Sequence, residues 1–288
     1  MTNRALFGPA GLPDSFLQKG YKTYTDIPKY TVEMGLDTFE YQCGRGVKIK
    51  TQNAAVLGEL AKQAGVTLSV HAPYYISLSS PDEQKRKNSA RYLLESAAAI
   101  AAMGGKRIVL HSGSVSGMAR EVALGMAKET LRYCIGRLDA EGFSDVTLCP
   151  ETMGKINQLG TVDEVIELCS LDERLIPCID FGHLNARTAG GIKTKKDYED
   201  ILDNVENKLG KDRTKVFHSH FSKIEFSEGG EKRHLTFEDT VFGPDPFPLL
   251  EVIAERGYTP TIICESDGTQ AEDAAIMKRH YISLVGEA

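Results

Sequence analysis

The sequence predicts one α/β domain, a closed (β/α)8 barrel covering residues 1–288, with a metal site at the C-terminal mouth of the barrel. Three observations lead to this prediction. Eight apolar, strand-like segments alternate with helical segments, which indicates a parallel sheet. No change in composition marks a linker, and the length suits one barrel. Finally, six strand-like segments end on His, Asp or Glu.

The distribution of these polar strand ends favours a closed barrel over an open doubly wound sheet. An open sheet gathers its ligand around one switch point. In a barrel, the C-terminal ends of all strands open on one mouth, where such side chains converge. The closed barrel therefore explains the pattern better, although the open sheet remains an alternative.

Composition excludes some classes of function. The formal net charge of −6 provides no general attraction to nucleic acid or to an anionic membrane, but a local site for DNA stays open. No apolar stretch approaches the roughly 20 residues of a membrane helix, and the first residues do not resemble a signal peptide. We therefore expect a cytoplasmic monomer without membrane contact.

The strands and helices are predicted from apolar runs and from the residues that end them. Glycines stop several helices, as Gly65 and Gly142 do, and Thr161 is an N-cap. We expect an irregular loop over residues 227–248. The predicted strands cover residues 5–8, 37–42, 67–71, 107–111, 146–151, 175–180, 216–218 and 261–265. The predicted helices cover residues 26–35, 53–64, 83–103, 118–141, 162–169, 195–209, 249–256 and 271–284.

The polar residues at and after the strand ends predict a centre with more than one metal ion. Imidazole nitrogens and carboxylate oxygens without thiolates suit Zn²⁺, Mn²⁺ or Fe²⁺. One ion takes three or four protein ligands, so the set is too large for one site, and Glu151 and Asp180 are the candidates to bridge two ions. The candidate ligands are His71, His111, Glu151, Asp180, His183, His218, His234 and Glu265.

Short motifs around these residues resemble those of the endonuclease IV type of apurinic/apyrimidinic endonuclease, a family of zinc-dependent TIM barrels related to xylose isomerase. Asp180-Phe-Gly-His183 is similar to the Asp-x-x-His motif of that family and is the most specific match. The other matching segments are His71-Ala-Pro-Tyr74, His111-Ser-Gly-Ser, Glu151-Thr, His218-Ser-His-Phe-Ser-Lys223, Arg233-His234 and Cys264-Glu265-Ser.

The resemblance implies hydrolysis of a DNA phosphodiester 5′ to an abasic site in base excision repair, with two or three zinc ions. It implies one ion held by His71, His111 and Glu151, and a third served by His183 and His234. Glu151 and Glu265 are the implied catalytic residues. The second ion would be held by Glu151, Asp180, His218 and Glu265.

The resemblance also implies residues that contact the DNA, and here the chain departs from the family. Tyr74 matches an aromatic residue that enters the duplex in that family. Arg45 is the candidate for the arginine that enters the duplex together with it. Lys232 stands where the family has an aspartate ligand, so the third ion is absent, weak, or served by Glu231 or His220.

A sugar or sugar-phosphate isomerase or epimerase on the same barrel is the alternative. It needs one divalent ion held by four of the predicted ligands, beside which carboxylates move a proton. Lys232 and Arg233 would then bind a sugar phosphate. This alternative leaves His71, His111 and His183 without a role. A metal-binding barrel without catalysis is a second alternative.

Overall fold

Residues 4–286 are described by a computed structural model of the chain, and they form the predicted barrel. Eight parallel strands follow one another in the order β1 (Leu6–Pro9), β10 (Thr261–Cys264), β7 (His218–Phe221), β6 (Cys178–Asp180), β5 (Thr147–Glu151), β4 (Arg107–His111), β3 (Thr67–His71) and β2 (Thr38–Gln42). The strands are short and buried on both faces, as expected for a parallel sheet covered by helices. A parallel bridge between Ala10 and Glu40 links the two ends of this order, and the amide of Gly11 donates to the carbonyl of Glu40 at 2.9 Å. The predicted (β/α)8 class is confirmed.

The main helices surround the barrel and begin and end close to the predicted positions. Thr161 caps its helix as predicted, by accepting a hydrogen bond from the amide of Glu164 at 3.2 Å. The helices are α1 (Asp14–Gln18), α2 (Ile27–Glu33), α3 (Thr51–Ala64), α4 (Glu83–Ala102), α5 (Arg120–Ala140), α6 (Val162–Cys169), α7 (Phe181–Arg187), α8 (Lys195–Leu209), α9 (Lys211–Lys215), α10 (Pro246–Arg256) and α11 (Gln270–Val285).

The segment after β7 differs from the prediction. Instead of an irregular loop from residue 227, an antiparallel hairpin of β8 (Lys223–Ser227) and β9 (Gly230–Leu235) stands over the mouth. Its apolar positions are few, so the alternation that identifies a strand in the sequence is weak there. A bulge in this hairpin shifts the register between Glu225 and Phe226.

A short helix, α7, starts directly after β6 and was also missed. Asp180 is its N-cap and accepts a hydrogen bond from the amide of His183 at 2.8 Å. The Asp-x-x-His spacing therefore has a physical basis, because an N-cap bonds the amide three residues later and holds that residue's side chain beside its own.

The core lies mainly between the barrel and its helices, and a smaller apolar cluster fills the barrel interior. Val109, Cys149, Ile176 and Cys178 form the inner cluster. Polar side chains replace apolar ones above it, towards the mouth. Within residues 4–286, no helix combines the length and the apolar character that crossing a membrane requires.

Candidate metal centre

Glu151, the last residue of β5, lies at the centre of the polar cluster and is 1% exposed. Its Oε2 lies 3.3 Å from Nε2 of His71 and 3.5 Å from Nε2 of His111. Its Oε1 lies 3.1 Å from Nδ1 of His220 and 3.4 Å from Nδ1 of His183. Each carboxylate oxygen thus faces a different pair of imidazoles, which is the arrangement that a bridging carboxylate requires.

The first group comprises Glu151 and the histidines that end β3 and β4. Nδ1 of His71 lies 2.9 Å from the carbonyl oxygen of Ala72, and donation of its proton there leaves Nε2 free towards Glu151. The His71 and His111 rings meet edge to face, with centroids 5.0 Å apart. The structure therefore brings these three predicted ligands together.

The second group comprises Glu151, Asp180, His220 and Glu265, whose candidate ligand atoms all lie within 4.8 Å of one another. Nδ1 of His220 lies 3.4 Å from Oε1 of Glu265. Oδ2 of Asp180 is buried and lies 3.1 Å from Nδ1 of His183, but it accepts no hydrogen bond from the described residues. A buried carboxylate oxygen without a donor is costly, so a cation fits this donor set well.

His218, a predicted ligand, lies deeper in the barrel than the other predicted ligands. β6 and β7 pair Cys178 with His218 and Asp180 with His220, so His220 is level with Asp180 and His218 lies two residues deeper. His218 instead bonds Glu40 at 3.0 Å through Nε2. The geometry therefore favours His220 as the donor from this strand.

The third group comprises His183, Glu231 and His234, which also lie close enough to share an ion. Nε2 of His183 lies 3.4 Å from Oε2 of Glu231, and Nε2 of His234 lies 4.0 Å from Oε1 of Glu231. The bulge in β9 skips Lys232 in the pairing and brings Glu231 to the side of His234. The sequence suggests Glu231 or His220 as the ligand that replaces the missing aspartate of the third ion. Of these two residues, Glu231 is the one beside His234.

Charges within the centre shift several pKa values. Burial alone would lower the pKa of His71 and of His183, but the nearby carboxylates raise them to about 9 and about 10. Burial opposes ionisation of Glu151 and Glu265, yet His220 is the main cause that holds both below the usual range, the pKa of Glu265 at about 2.

Two groups differ from that pattern. Burial lowers the pKa of His111 to about 4, which keeps its imidazole neutral. Burial raises the pKa of Asp180, and the neighbouring His183 only partly offsets this effect. Without a cation, Asp180 therefore ionises less readily than an exposed aspartate.

The centre opens into a pocket of about 230 Å³, lined by residues from both the strand ends and the loops. Tyr74 lines it and accepts a hydrogen bond of 2.8 Å from Nε of Arg45. Lys155 and Gln158, which follow β5, also line it and were not predicted. A lysine in a loop gives no periodic signal, so the sequence offered little to identify it.

Lys232 and Arg233, which were predicted to bind substrate, are directed to another partner. Nζ of Lys232 lies 2.8 Å from Glu225, and Nε of Arg233 lies 2.7 Å from the same carboxylate. Both side chains are more than half exposed. The structure thus separates these two cations from the pocket lining.

Glu40 is the buried polar residue of the interior that was missed. It lies in β2 between Phe39 and Tyr41, both of which pack into the main core. Because strand side chains alternate, Glu40 faces the barrel interior. A carboxylate in the middle of an apolar strand was the signal that could have identified it.

Two known proteins are similar to this chain over most of its length. A protein of Methanocaldococcus jannaschii described as uncharacterized is 33% identical over 273 residues, covering 95% of this chain and 96% of that protein. A probable endonuclease 4 of Staphylococcus carnosus is 29% identical over 247 residues, covering 83% of this chain and 75% of the relative.

Solved structures support the same fold. Endonuclease IV from Thermus thermophilus has a TM-score of 0.70 at 20% identity, covering 99% of this chain and 100% of its own. A D-tagatose 3-epimerase-like protein has a TM-score of 0.73 at 20% identity, covering 97% and 98%. The sequence profile of one family matches residues 28–280. The chain therefore belongs to the xylose isomerase-like TIM barrel family.

Proposed function

We propose that this protein is a zinc-dependent endonuclease that cleaves a DNA phosphodiester 5′ to abasic sites in base excision repair. The observation that carries the proposal is the position of Glu151 between two pairs of imidazoles, with a third donor group beside it. Such an arrangement suits several ions held around one phosphodiester. We further propose that the protein acts as a cytoplasmic monomer.

Zinc is the proposed ion because the donors are nitrogen and oxygen atoms on a buried scaffold, although Mn²⁺ and Fe²⁺ share this preference. Two or three divalent ions would act as Lewis acids, supply an activated water and neutralise charge on the phosphate and the leaving oxygen. The donor sets that we assign are His71-His111-Glu151, Glu151-Asp180-His220-Glu265 and His183-Glu231-His234.

The chain's own residues orient the reactants. Glu265 is 16% exposed and lines the pocket, so its carboxylate can accept a hydrogen bond from the attacking water. Although burial acts in the opposite direction, His220 lowers the pKa of Glu265 to about 2. The carboxylate is therefore an acceptor at neutral pH. Glu151 is buried below the pocket, where its Oε2 faces His71 and its Oε1 faces His220.

Tyr74 and Arg45 are the proposed contacts with the DNA. Tyr74 is 49% exposed, and its ring packs on that of Tyr75 with centroids 5.1 Å apart. The hydrogen bond from Arg45 places a cation beside this aromatic pair. An exposed ring can stack on a base, and a nearby cation can bind a phosphate, while the abasic nucleotide enters the pocket.

The second candidate function is a sugar isomerase or epimerase that uses one divalent ion. Glu151, Asp180, His220 and Glu265 would suffice for it, and a pocket of about 230 Å³ suits a small molecule. The likeness to a D-tagatose 3-epimerase-like structure concerns the fold. This candidate assigns no role to His71 and His111, nor to the third group around Glu231.

The experiment offers both substrate classes to the same preparation. Purified protein is incubated with a duplex carrying one tetrahydrofuran abasic mimic, and separately with ketohexoses and their phosphates. We expect a chelator-sensitive incision 5′ to the mimic, and no incision by Glu151→Gln. Epimerised sugar without incision would replace the nuclease with the second candidate.

A further inference from the structure

Glu40 is a fully buried carboxylate inside the barrel, below the proposed metal centre. Its Oε2 accepts hydrogen bonds from Oγ of Ser69 at 2.9 Å and from Nε2 of His218 at 3.0 Å. Its Oε1 accepts one from Nε2 of Gln42 at 3.1 Å. Burying a carboxylate costs free energy unless donors surround it, so these bonds account for its stability but not for its purpose.

The remaining neighbour of Glu40 is His220, one of the proposed ligands. Nε2 of His220 lies 2.9 Å from Oε1 of Glu40, with the ring turned out of line for a hydrogen bond to the described residues. Nδ1 of the same ring faces Glu151 at 3.1 Å and Glu265 at 3.4 Å. The His220 imidazole therefore lies between Glu40 on one side and the donor group on the other.

A histidine that binds a metal through one nitrogen commonly donates the proton of its other nitrogen to a carboxylate. That bond fixes the tautomer and the ring orientation, and it makes the ligand nitrogen more basic. Glu40 has the position for this role, because its Oε1 lies 2.9 Å from Nε2 of His220. The proton then resides on Nε2, and the lone pair of Nδ1 faces the centre.

His218 and Ser69 hold Glu40 in the orientation that this contact requires. Both donate to Oε2, so Oε1 faces His220 and Gln42. His218 donates to Oε2 through Nε2, while its Nδ1 has no hydrogen-bond partner among the described residues. The residue that the sequence resemblance assigned as a ligand thus supports the carboxylate behind the ligand.

We propose that Glu40 is the positioning residue of the metal centre: it accepts the Nε2 proton of His220 and directs Nδ1 to the ion held with Glu151 and Glu265. This inference rests on the proposed metal centre, but not on the identity of the substrate. Glu40 touches neither substrate nor ion, so its effect is exerted through His220.

The test compares Zn²⁺ affinity of the wild-type protein, of Glu40→Gln and of Ser69→Ala, by titration against a chromophoric chelator. Glu40→Gln preserves shape but replaces the anion by an amide, and we expect about 10- to 100-fold weaker binding of one ion. Ser69→Ala removes one of the donors that orient Glu40 but leaves its charge, so we expect a weakening that is smaller than that of Glu40→Gln. Equal affinity of wild type and Glu40→Gln for every ion would overturn the proposal.

A second measurement does not depend on the folding of Glu40→Gln. In the zinc-loaded wild-type protein, ¹⁵N NMR of the imidazoles reports which nitrogen of His220 carries the proton, with the signal assigned by its loss in His220→Asn. We expect the proton on Nε2. A proton on Nδ1 would overturn the proposal while the metal centre stands, whereas a wild-type protein that binds no divalent ion would refute the proposed centre itself.

Discussion

Nε2 of His183 lies 3.4 Å from Oε2 of Glu231, although one residue belongs to the helix after β6 and the other to a hairpin over the mouth. A bulge creates this contact. Lys232 is skipped in the pairing of β8 with β9, so Glu231 reaches the side of the hairpin that His234 occupies. We therefore propose Glu231, one residue earlier in the chain, as the donor in place of Lys232.

The first prediction concerns this third group. Glu231→Ala removes the only carboxylate of the group, and we expect the protein to retain one zinc ion fewer per chain. Lys232→Ala is the matched control, since Lys232 pairs with Glu225, and its zinc content should equal that of the wild type. Metal analysis after dialysis makes the comparison. Loss of zinc from the Lys232 variant alone would mean that the bulge is not formed in solution.

The second prediction separates the two candidate functions. His111→Ala removes an imidazole that faces Oε2 of Glu151 and is not needed by a centre with one ion. We expect kcat/KM on an abasic duplex to fall by at least about 100-fold, because the first ion loses a ligand. Steady-state incision assays at saturating zinc measure it. Wild-type incision by this variant would contradict the first donor group.

The third prediction concerns pH. Against the effect of burial, neighbouring carboxylates raise the pKa of His71 to about 9 and of His183 to about 10, so both imidazoles are protonated at neutral pH without an ion. A metal ion must displace these protons, and its apparent affinity should therefore rise as the pH increases towards these pKa values.

Calorimetric titration in two buffers of different ionisation enthalpy measures the protons released at each pH. We expect tighter binding at about pH 8 than at about pH 6, with net proton release at both. Binding that releases no protons and does not change with pH would show that the imidazoles are neutral before the ion arrives.

The fourth prediction concerns the mouth. Tyr74→Ala removes an exposed ring that we expect to stack on a base, an interaction of about 1–3 kcal/mol, so the KM for abasic duplex should rise roughly 5- to 150-fold. Arg233→Ala is the control, because Arg233 bonds Glu225 away from the pocket, and its KM should stay near that of the wild type. A larger effect of the Arg233 variant would relocate the DNA contact to the hairpin.

The barrel could be predicted from the sequence because eight apolar runs alternate with helical segments, and six of those runs end on His, Asp or Glu. The register between the strands could not be predicted in this way. His218 and His220 share one face of β7, and only the pairing of Asp180 with His220 decides which of them is level with the other donors.

The hairpin shows a second reason why the site could not be predicted in full from the sequence. Spacing along β9 points to Lys232, two residues before His234, as the residue on its face. One bulged residue reverses that alternation, and a bulge leaves no reliable sign in a short polar segment. Glu40 differs from both cases, because its place in the middle of an apolar strand was visible in the sequence and needed only to be interpreted.

The most direct test of the account is a crystal structure of the zinc-loaded protein with anomalous scattering measured at the zinc edge. We predict three peaks at the mouth: one near His71, His111 and Glu151, one near Glu151, Asp180, His220 and Glu265, and one near His183, Glu231 and His234. A single peak at the second of these positions, with His71 and His111 free of metal, would contradict the account and support an enzyme with one ion.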